Sequence, residues 1–267
     1  MKALKFSLNG KTAFFKKPDV NNYIYFTYGN IHKIALLGIL GAVIGLGGYE
    51  KQNYYKNQYE KIKKSDKKNQ LDDEIKYSIT YPEFYYKLKD LKIAIVPKND
   101  KGYINKKVQV FNNSIGYASK EEGGNLITKE QWLESPRWDI YILLNGQSYE
   151  KEIKERLSKR QAVYIPYLGK NDHLANINEV EIIDIEEEKK YEEINSLFLK
   201  NKFKLINDIN AIFSMKELWK YEERLPVALE EITNQYVTEP MVFTNYFVEV
   251  NKEEKIFRYK DLNLYFF

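Results

Sequence analysis

Apolar and polar positions alternate from the first residues. In MKALKFSLNGKTAFF, Leu4, Phe6 and Leu8 recur at every second position, the period of a half-buried strand. KKPDVNNYIYFTYGN then carries Pro18, paired asparagines and Gly29, the marks of a loop. Asn30 stands where it can cap a following helix. That helix is predicted from KIALLGILGAVIGLGGY, whose uninterrupted apolar part, Ile34 to Gly48, is about 15 residues long, whereas a helix needs roughly 20 to cross a bilayer. Roughly thirty polar and aromatic residues precede it, so it lacks the context of a signal peptide. A core helix is expected, and no membrane partner. Gly38, Gly41 or Ala42, and Gly45 stack one turn apart, giving a thin face that lets a sheet or another chain approach closely. Each glycine costs about 1 kcal/mol of helix propensity against alanine, so packing rather than propensity explains them.

Further along, Lys51 to Gln70 is a charged tract with Tyr54, Tyr55, Tyr59 and Ile62, read as a helix giving way to a poorly ordered, solvated stretch around KKSDKKNQ. KIAIVP (Lys92 to Pro97) reads as a strand. From Lys98 to Lys129 turn signals dominate, and within INKKVQVFNNSIGYAS the alternating Val108 and Val110 have lysine and amide neighbours, which predicts a projecting β-hairpin over Gly102 to Tyr117. WDIYILLNG (Trp138 to Gly146) is a strand. SYEKEIKERLSKRQ places Ser148 and Lys151 at capping-box positions, with lysine where glutamate is preferred, and sets Ile153 and Leu157 at i, i+4, predicting an amphipathic helix. AVYIPYLGKNDH suggests a short strand and a glycine turn, and NEVEIIDIEE (Asn178 to Glu187) another strand. Strand, helix, strand, long hairpin, strand, helix, strand is the split βαβ of ferredoxin-like folds. Lys189 to Phe267 is expected to form a helix near Glu192 to Lys204 and strands at MVFTNYFVEV and KIFRYKDL. The predicted class is α+β: a modified ferredoxin-like (RRM-like) part over 1–188, with the hairpin at about 98–130, and a smaller helical and β-rich extension over 189–267.

Composition adds chemistry to this frame. The 267 residues include 23 Tyr and 14 Phe, with 30% charged residues, a combination able to stack on bases and meet phosphates; an AT-rich genome would also favour Lys, Asn, Tyr and Ile codons. Net charge is +4 but unevenly placed. Residues 1 to 70 carry 13 lysines against 4 acids, a net of +9, while residues 181 to 267 carry 12 basic and 18 acidic groups, a net of −6. A basic front and an acidic back suit one polyanion-facing and one protein-facing side. The absence of Cys removes disulfides, thiolate zinc sites and cysteine nucleophiles together, and fits a cytoplasmic location.

Motif chemistry is sparse. HExxH, GxSxG, P-loop and CxxC patterns are absent, two histidines do not make an all-histidine zinc site, and the RRM aromatic signature is missing. Gly45, Gly47 and Gly48 close an apolar run instead of opening a helix after a strand, so they do not match a dinucleotide loop. No metal or cofactor is expected. Metal-independent RNA cleavage would need a general base and acid beside a phosphate-clamping cation, and His32, His173, Lys170 and the tyrosines are the candidates. His32 falls in the first helical turn, where the dipole favours a neutral imidazole and anions bind.

KFSLNGKTAFFKKPDVNNYIYFTYGNIHKIALLGILGAVIGLGGY resembles the amino terminus of CRISPR-associated Cas family five proteins of the type I-B branch. YIPYLGKNDHLANINEV resembles their later glycine-turn motif, and SPRWDIYILLNG their third core strand. The likeness spans most of residues 1 to 186 and is most specific in the first 49. It implies a ferredoxin-like palm with a hairpin thumb that binds the 5′ handle of CRISPR RNA in the Cascade surveillance complex. The implied partners are the first backbone subunit (family seven), the large subunit (family eight) and, through the complex, target DNA. In the type I-C branch the corresponding subunit cuts precursor RNA with a Tyr, Lys and His set. This chain has Lys170 and His173 near one another but no adjacent Lys-His pair in its hairpin, so a non-catalytic RNA-binding subunit is the primary reading and a metal-independent endoribonuclease the alternative. The RNA-binding set is Lys16, Lys17, Tyr25, Thr27, Tyr28, Asn30, His32 and Lys33 before and at the helix start; Lys106, Lys107, Gln109, Asn112, Asn113 and Tyr117 on the hairpin; and Lys170, Asn171 and His173 on the glycine turn.

Overall fold

The computed structural model describes residues 1–19, 23–64, 78–113, 126–206, 217–250 and 254–267. In chain order these form β1 (Lys2–Asn9), β2 (Thr12–Ala13), α1 (Lys33–Ile44), α2 (Tyr49–Lys64), α3 (Glu83–Leu88), β3 (Ile93–Pro97), β4 (Lys106–Asn113), β5 (Leu126–Glu134), β6 (Arg137–Leu144), α4 (Glu150–Ser158) and β7 (Asn176–Asp184). There follow β8 (Glu186–Glu188), β9 (Phe198–Leu199), β10 (Phe203–Ile206), β11 (Lys220–Leu229), β12 (Tyr236–Thr244), β13 (Phe247–Val250), β14 (Ile256–Tyr259) and β15 (Leu262–Tyr265). The protein is α+β. Its central sheet has the order β3-β6-β1-β7 with all neighbours antiparallel, which is the strand order of the split βαβ.

Alternation along these strands separates two cores. Leu4, Phe6, Leu8, Ile93, Ile95, Trp138, Ile140 and Ile142 face the helices, with Leu36, Leu37 and Leu40 of α1 and Ile153 and Leu157 of α4. On the other face Ala3, Ala94, Val96, Tyr141, Leu143 and Ile183 are covered by Phe257, Leu264 and Phe266 from the β14–β15 ribbon and its end. Residues on both sides of position 189 share the first core, since Ile194, Leu197, Phe198, Tyr221 and Leu225 belong to it.

Three expected elements differ. The helix near Glu192 to Lys204 is absent: the segment is extended, with a single 3-10 turn at Lys200–Lys202. Its Asn195 and Leu197 amides donate to Asn263 and Ile95 carbonyls, so sheet edges rather than an i−4 ladder satisfy it. The short strand expected in AVYIPY is also absent. The amides of Val163 and Tyr164 donate to the Val43 and Ala42 carbonyls instead, answering orphan acceptors at the end of α1. The hairpin is longer than the expected Gly102 to Tyr117, of which residues 114–117 lie outside the described residues. β4 pairs with β5, Lys106 opposite Leu133 through Asn113 opposite Leu126. The stretch KKSDKKNQ lies, from Ser65 on, outside the described residues.

His32, not Asn30, caps α1, its Nδ1 accepting from the Ala35 amide at 3.2 Å. The helix ends at Gly45, whose φ of 88° is left-handed and whose amide donates to the Gly41 carbonyl at 2.8 Å. α1 and α2 meet at 83°, and among the described residues no single helix is long and apolar enough to cross a membrane. The thin face meets a helix rather than a sheet: a Cβ at Gly41 would stand 2.6 Å from the Phe84 Cβ in α3, whereas one at Gly38 would meet only Phe84 Cε2 at 3.9 Å. Gly41→Leu is therefore expected to destabilise the fold by about 1 to 3 kcal/mol through overpacking, while Gly38→Ala leaves stability unchanged or raised. Thermal unfolding of both variants distinguishes the sites, and equal melting temperatures would contradict this packing.

Candidate nucleic-acid interface

A two-stranded hairpin is only marginally stable alone, so its attachments decide where it stands. β2 pairs with the root of β5, Thr12 opposite Glu134 and Ala13 opposite Leu133. Farther out, the Tyr25 amide donates to the Lys129 carbonyl and the Gln131 amide to the Tyr25 carbonyl, each at 2.9 Å. Tyr25 is held there because its segment is bridged to the preceding strand-like stretch at Lys16 and Thr27, with Lys17 donating to the Phe26 carbonyl and Tyr28 to that of Phe15. The turn after Tyr167 closes the third side. The Phe14 amide donates to the Leu168 carbonyl at 3.0 Å, and Gly169, with φ of 90°, lies so close that a Cβ would overlap the Phe14 carbonyl.

Three regions distant in sequence thus converge at the hairpin root. Glu130 is buried there, accepting from Trp132 Nε1 at 2.8 Å and from Lys170 Nζ at 3.2 Å. Lys170 also pairs with Asp172 at 3.1 Å. Burial lowers the Lys170 pKa, but hydrogen bonds and charge from Asp172 and Glu130 outweigh it and hold it above the ordinary value. Cations cover rings around this root: Lys16 lies 3.8 Å from the Tyr25 centroid, Lys170 5.1 Å from Phe111 and Lys107 5.7 Å from Trp132. Lys107, Gln109 and Phe111 share the half-buried face, while Lys106, Val108, Val110 and Asn112 are exposed on the other. The two valines, 54% and 52% exposed, do not cover a core.

The expected residues divide sharply. Lys16, Tyr25, Lys106, Lys107, Gln109, Asn112, Lys170 and Asn171 retain surface; Asn113 is placed by its backbone in β4; Tyr117 lies outside the described residues. The start of α1 is largely interior, with Thr27 and Asn30 bonded within the chain. Thr27 accepts from the Phe15 amide at 3.0 Å and donates to the Tyr28 carbonyl at 2.9 Å. Asn30 donates to the Gly102 carbonyl at 3.0 Å and accepts from Trp138 Nε1 at 2.9 Å. Tyr28 is buried and its hydroxyl is pushed up to about 12, chiefly by burial. Lys17 pairs with Glu223 at 2.9 Å. Lys33 donates to the Phe267 carbonyl at 3.2 Å, and burial lowers its pKa to about 8. Neither imidazole is placed for proton transfer at the surface: His32 is 3% and His173 1% exposed. The His173 Nδ1 lies 2.7 Å from Thr12 Oγ1, its Nε2 is buried without a partner, and the ring meets Trp132 edge-on at 4.4 Å. Glu130, Trp132 and Thr12, which organise the root, escaped the sequence reading because β5 itself did.

No protein-family model matches the sequence, and no curated protein matches it. Among solved structures, one described as a CRISPR protein from Archaeoglobus fulgidus is similar over 99% of this chain and 98% of its own, at 10% identity and a TM-score of 0.47. A chain of a CRISPR RNA-guided surveillance complex is similar over 93% and 91%, at 10% identity and a TM-score of 0.47. A chain of a Type III-B Cmr-beta complex bound to cognate target RNA is similar over 93% and 86%, at 10% identity and a TM-score of 0.44. Likeness at this level does not assign a function.

Burial lowers the pKa of both histidines, to about 3 for His32. The unfolded chain therefore binds more protons below the ordinary histidine value, so stability rises with pH and is lost as pH falls from about 6.5. The melting temperature is expected to drop between about pH 6.5 and pH 5, above the range where most carboxylates titrate. His32→Asn, which keeps a capping oxygen, should flatten that slope. An unchanged slope in both His32→Asn and His173→Asn would show that the imidazoles take up protons while folded.

Proposed function

We propose that this chain is a non-catalytic RNA-binding subunit of a CRISPR surveillance complex of the type I-B kind. The observation that carries the reading is the gathering of Lys16, Lys107 and Lys170 over Tyr25, Trp132 and Phe111 at the root of a protruding hairpin. Ammonium groups beside rings serve a single strand twice, meeting phosphates and offering stacking faces. The resemblance of residues 1 to 49 and of YIPYLGKNDHLANINEV to family five subunits supports the same reading, with the palm formed by the central sheet and the thumb by β4 and β5. The RNA is the 5′ handle of CRISPR RNA. The neighbouring backbone subunit of family seven and the large subunit of family eight contact other faces, target DNA is met through the assembled complex, and the setting is cytoplasmic. Binding without cleavage is favoured by the burial of both histidines.

Lys17 and Lys33 are engaged within the chain, so the triple variant Lys16→Gln, Lys106→Gln, Lys107→Gln should lower the salt dependence of repeat-RNA binding by about two in log–log slope, at roughly 0.7 per phosphate contact on a single strand. Lys17→Gln with Lys33→Gln should leave it nearly unchanged. The reverse pattern in a filter-binding titration would refute the assignment.

The hairpin can be shortened without disturbing its root, because Phe111 lies opposite Thr128. Deleting residues 112–127 and joining Phe111 to Thr128 through two glycines should leave the melting temperature close to wild type while weakening RNA binding and assembly with the backbone subunit. A shortened chain that binds and assembles normally would remove the thumb from the reading.

A further inference from the structure

Beside α1 lies a groove of about 950 Å³ separate from the hairpin root except at its mouth, where Lys16 and Gly169 line both. Its floor is unusually thin: Ala35, Gly38 and Ala42 present almost no side chain along one face of the helix. Its walls are aromatic, with Phe15, Tyr49, Tyr54, Tyr164, Tyr167 and Tyr236. Tyr49, Tyr54, Tyr164 and Tyr167 are 45 to 59% exposed, a concentration of half-exposed rings that marks a binding surface more than a solvated one.

One buried polar group also lines it. His32 is 3% exposed, and its Nδ1 accepts from the Ala35 amide. That bond requires an unprotonated Nδ1, so in the neutral ring Nε2 carries the hydrogen; burial keeps the ring neutral, lowering its pKa to about 3. Among the described residues Nε2 has no acceptor, its neighbours being the rings of Phe15, Tyr28 and Tyr236 at 5.2 to 5.8 Å. The buried side-chain atoms without a partner among the described residues are Tyr141 Oη and His173 Nε2, so the His32 Nε2 hydrogen is reached by solvent from the groove and is available to an acceptor from outside. At the mouth, the Lys16 ammonium lies over Tyr25 and makes no ion pair among the described residues.

We infer that this groove binds a single nucleotide, its base between the tyrosines with an edge acceptor on His32 Nε2, and its phosphate at Lys16. An apolar peptide would use the rings but neither the groove-lining His32 N–H nor the Lys16 ammonium at the mouth, and an inorganic anion would use only the cation. The inference stands on the groove and not on the hairpin reading.

Titration of the whole chain with adenosine and uridine monophosphates, followed by tyrosine fluorescence, should show saturable binding in the millimolar range or tighter. Ribose 5-phosphate and inorganic phosphate should not compete. Gly38→Leu, whose Cβ would meet only Phe84 Cε2 at 3.9 Å and whose side chain would occupy the groove floor, should weaken nucleotide binding at least about tenfold, or about 1.4 kcal/mol, and Lys16→Gln should weaken the monophosphate but not the nucleoside. Absence of binding by either nucleotide, equal competition by ribose 5-phosphate, or unchanged affinity in a folded Gly38→Leu would overturn the inference. Displacement of the nucleotide by a single-stranded RNA would uphold the site and identify a strand as its natural source; failure of RNA to displace it would uphold the site as one for free nucleotide. Failure of RNA binding altogether, with mononucleotide binding retained, would count against the hairpin reading and leave this one standing.

Discussion

The seam along β5 is the constraint from which the interface follows. β5 is a strand with two faces of work: its backbone pairs with β4 on one side and with β2 and Tyr25 on the other, while Glu130 and Trp132 turn toward the body. A carboxylate as buried as Glu130 is tolerated only where it is paired and hydrogen-bonded. Lys170 and the Trp132 indole supply both, and Lys170 reaches it only because the Gly169 turn packs against Phe14. Packing of the amino-terminal segment, position of the glycine turn and direction of the hairpin are therefore one arrangement rather than three. The consequence for binding is that Lys170 is half engaged: it is already paired with Glu130 and Asp172, so its part is to fix the root, and the positive charge offered to a polyanion comes from Lys16 and Lys106, and from Lys107, whose pair with Glu134 is loose at 4.0 Å.

The same distinction explains why lysine count alone misleads. The first 70 residues hold a net charge of +9, yet Lys5 pairs with Glu181, Lys17 with Glu223 and Lys51 with Glu83. Through Glu181 and Glu223 the acidic carboxyl-terminal part is thus in part the counter-charge of the basic amino-terminal part, while Glu83 answers Lys51 from the middle of the chain. Glu223 also accepts from the Gly29 amide at 2.8 Å and from the Tyr221 hydroxyl, so it ties β11 to the loop before α1. Part of what sequence composition presents as a basic front is spent inside the fold, on Lys5, Lys17, Lys33 and Lys51.

Much of the palm was legible because its pattern is forced by burial. Leu4, Phe6 and Leu8 alternate and are all fully buried, Ile93 to Pro97 is buried throughout, and Ile153 and Leu157 face the core from α4 as their spacing indicates. The errors have physical causes. β5 reads LITKEQWLE, with a charged residue pointing inward at Glu130, so it shows no clean period of two. Ile194, Leu197 and Phe198 have helical spacing, but each fills the core from an extended chain whose amides are taken by neighbouring segments. The tyrosines and isoleucine of AVYIPY look like a buried strand, yet Tyr164 and Ile165 are 56% and 74% exposed because that backbone is spent on the end of α1.

The loop before α1 shows how a correct expectation about polarity fails on placement. Thr27, Asn30 and His32 are polar residues beside a helix start, the pattern of an anion site, but each has its hydrogen bonds directed inward: Thr27 joins two loop strands, Asn30 joins Trp138 to the Gly102 turn, and His32 closes the helix. A helix that carries Leu36, Leu37, Leu40 and Val43 into the core must bury its first turn as well, and the buried turn then has to satisfy its own amides. Polar residues gathered at that turn are thus needed for folding before they are available for binding. Of the three, only His32 also lines the groove beside α1, where its ring is exposed on one edge while Nδ1 closes the helix.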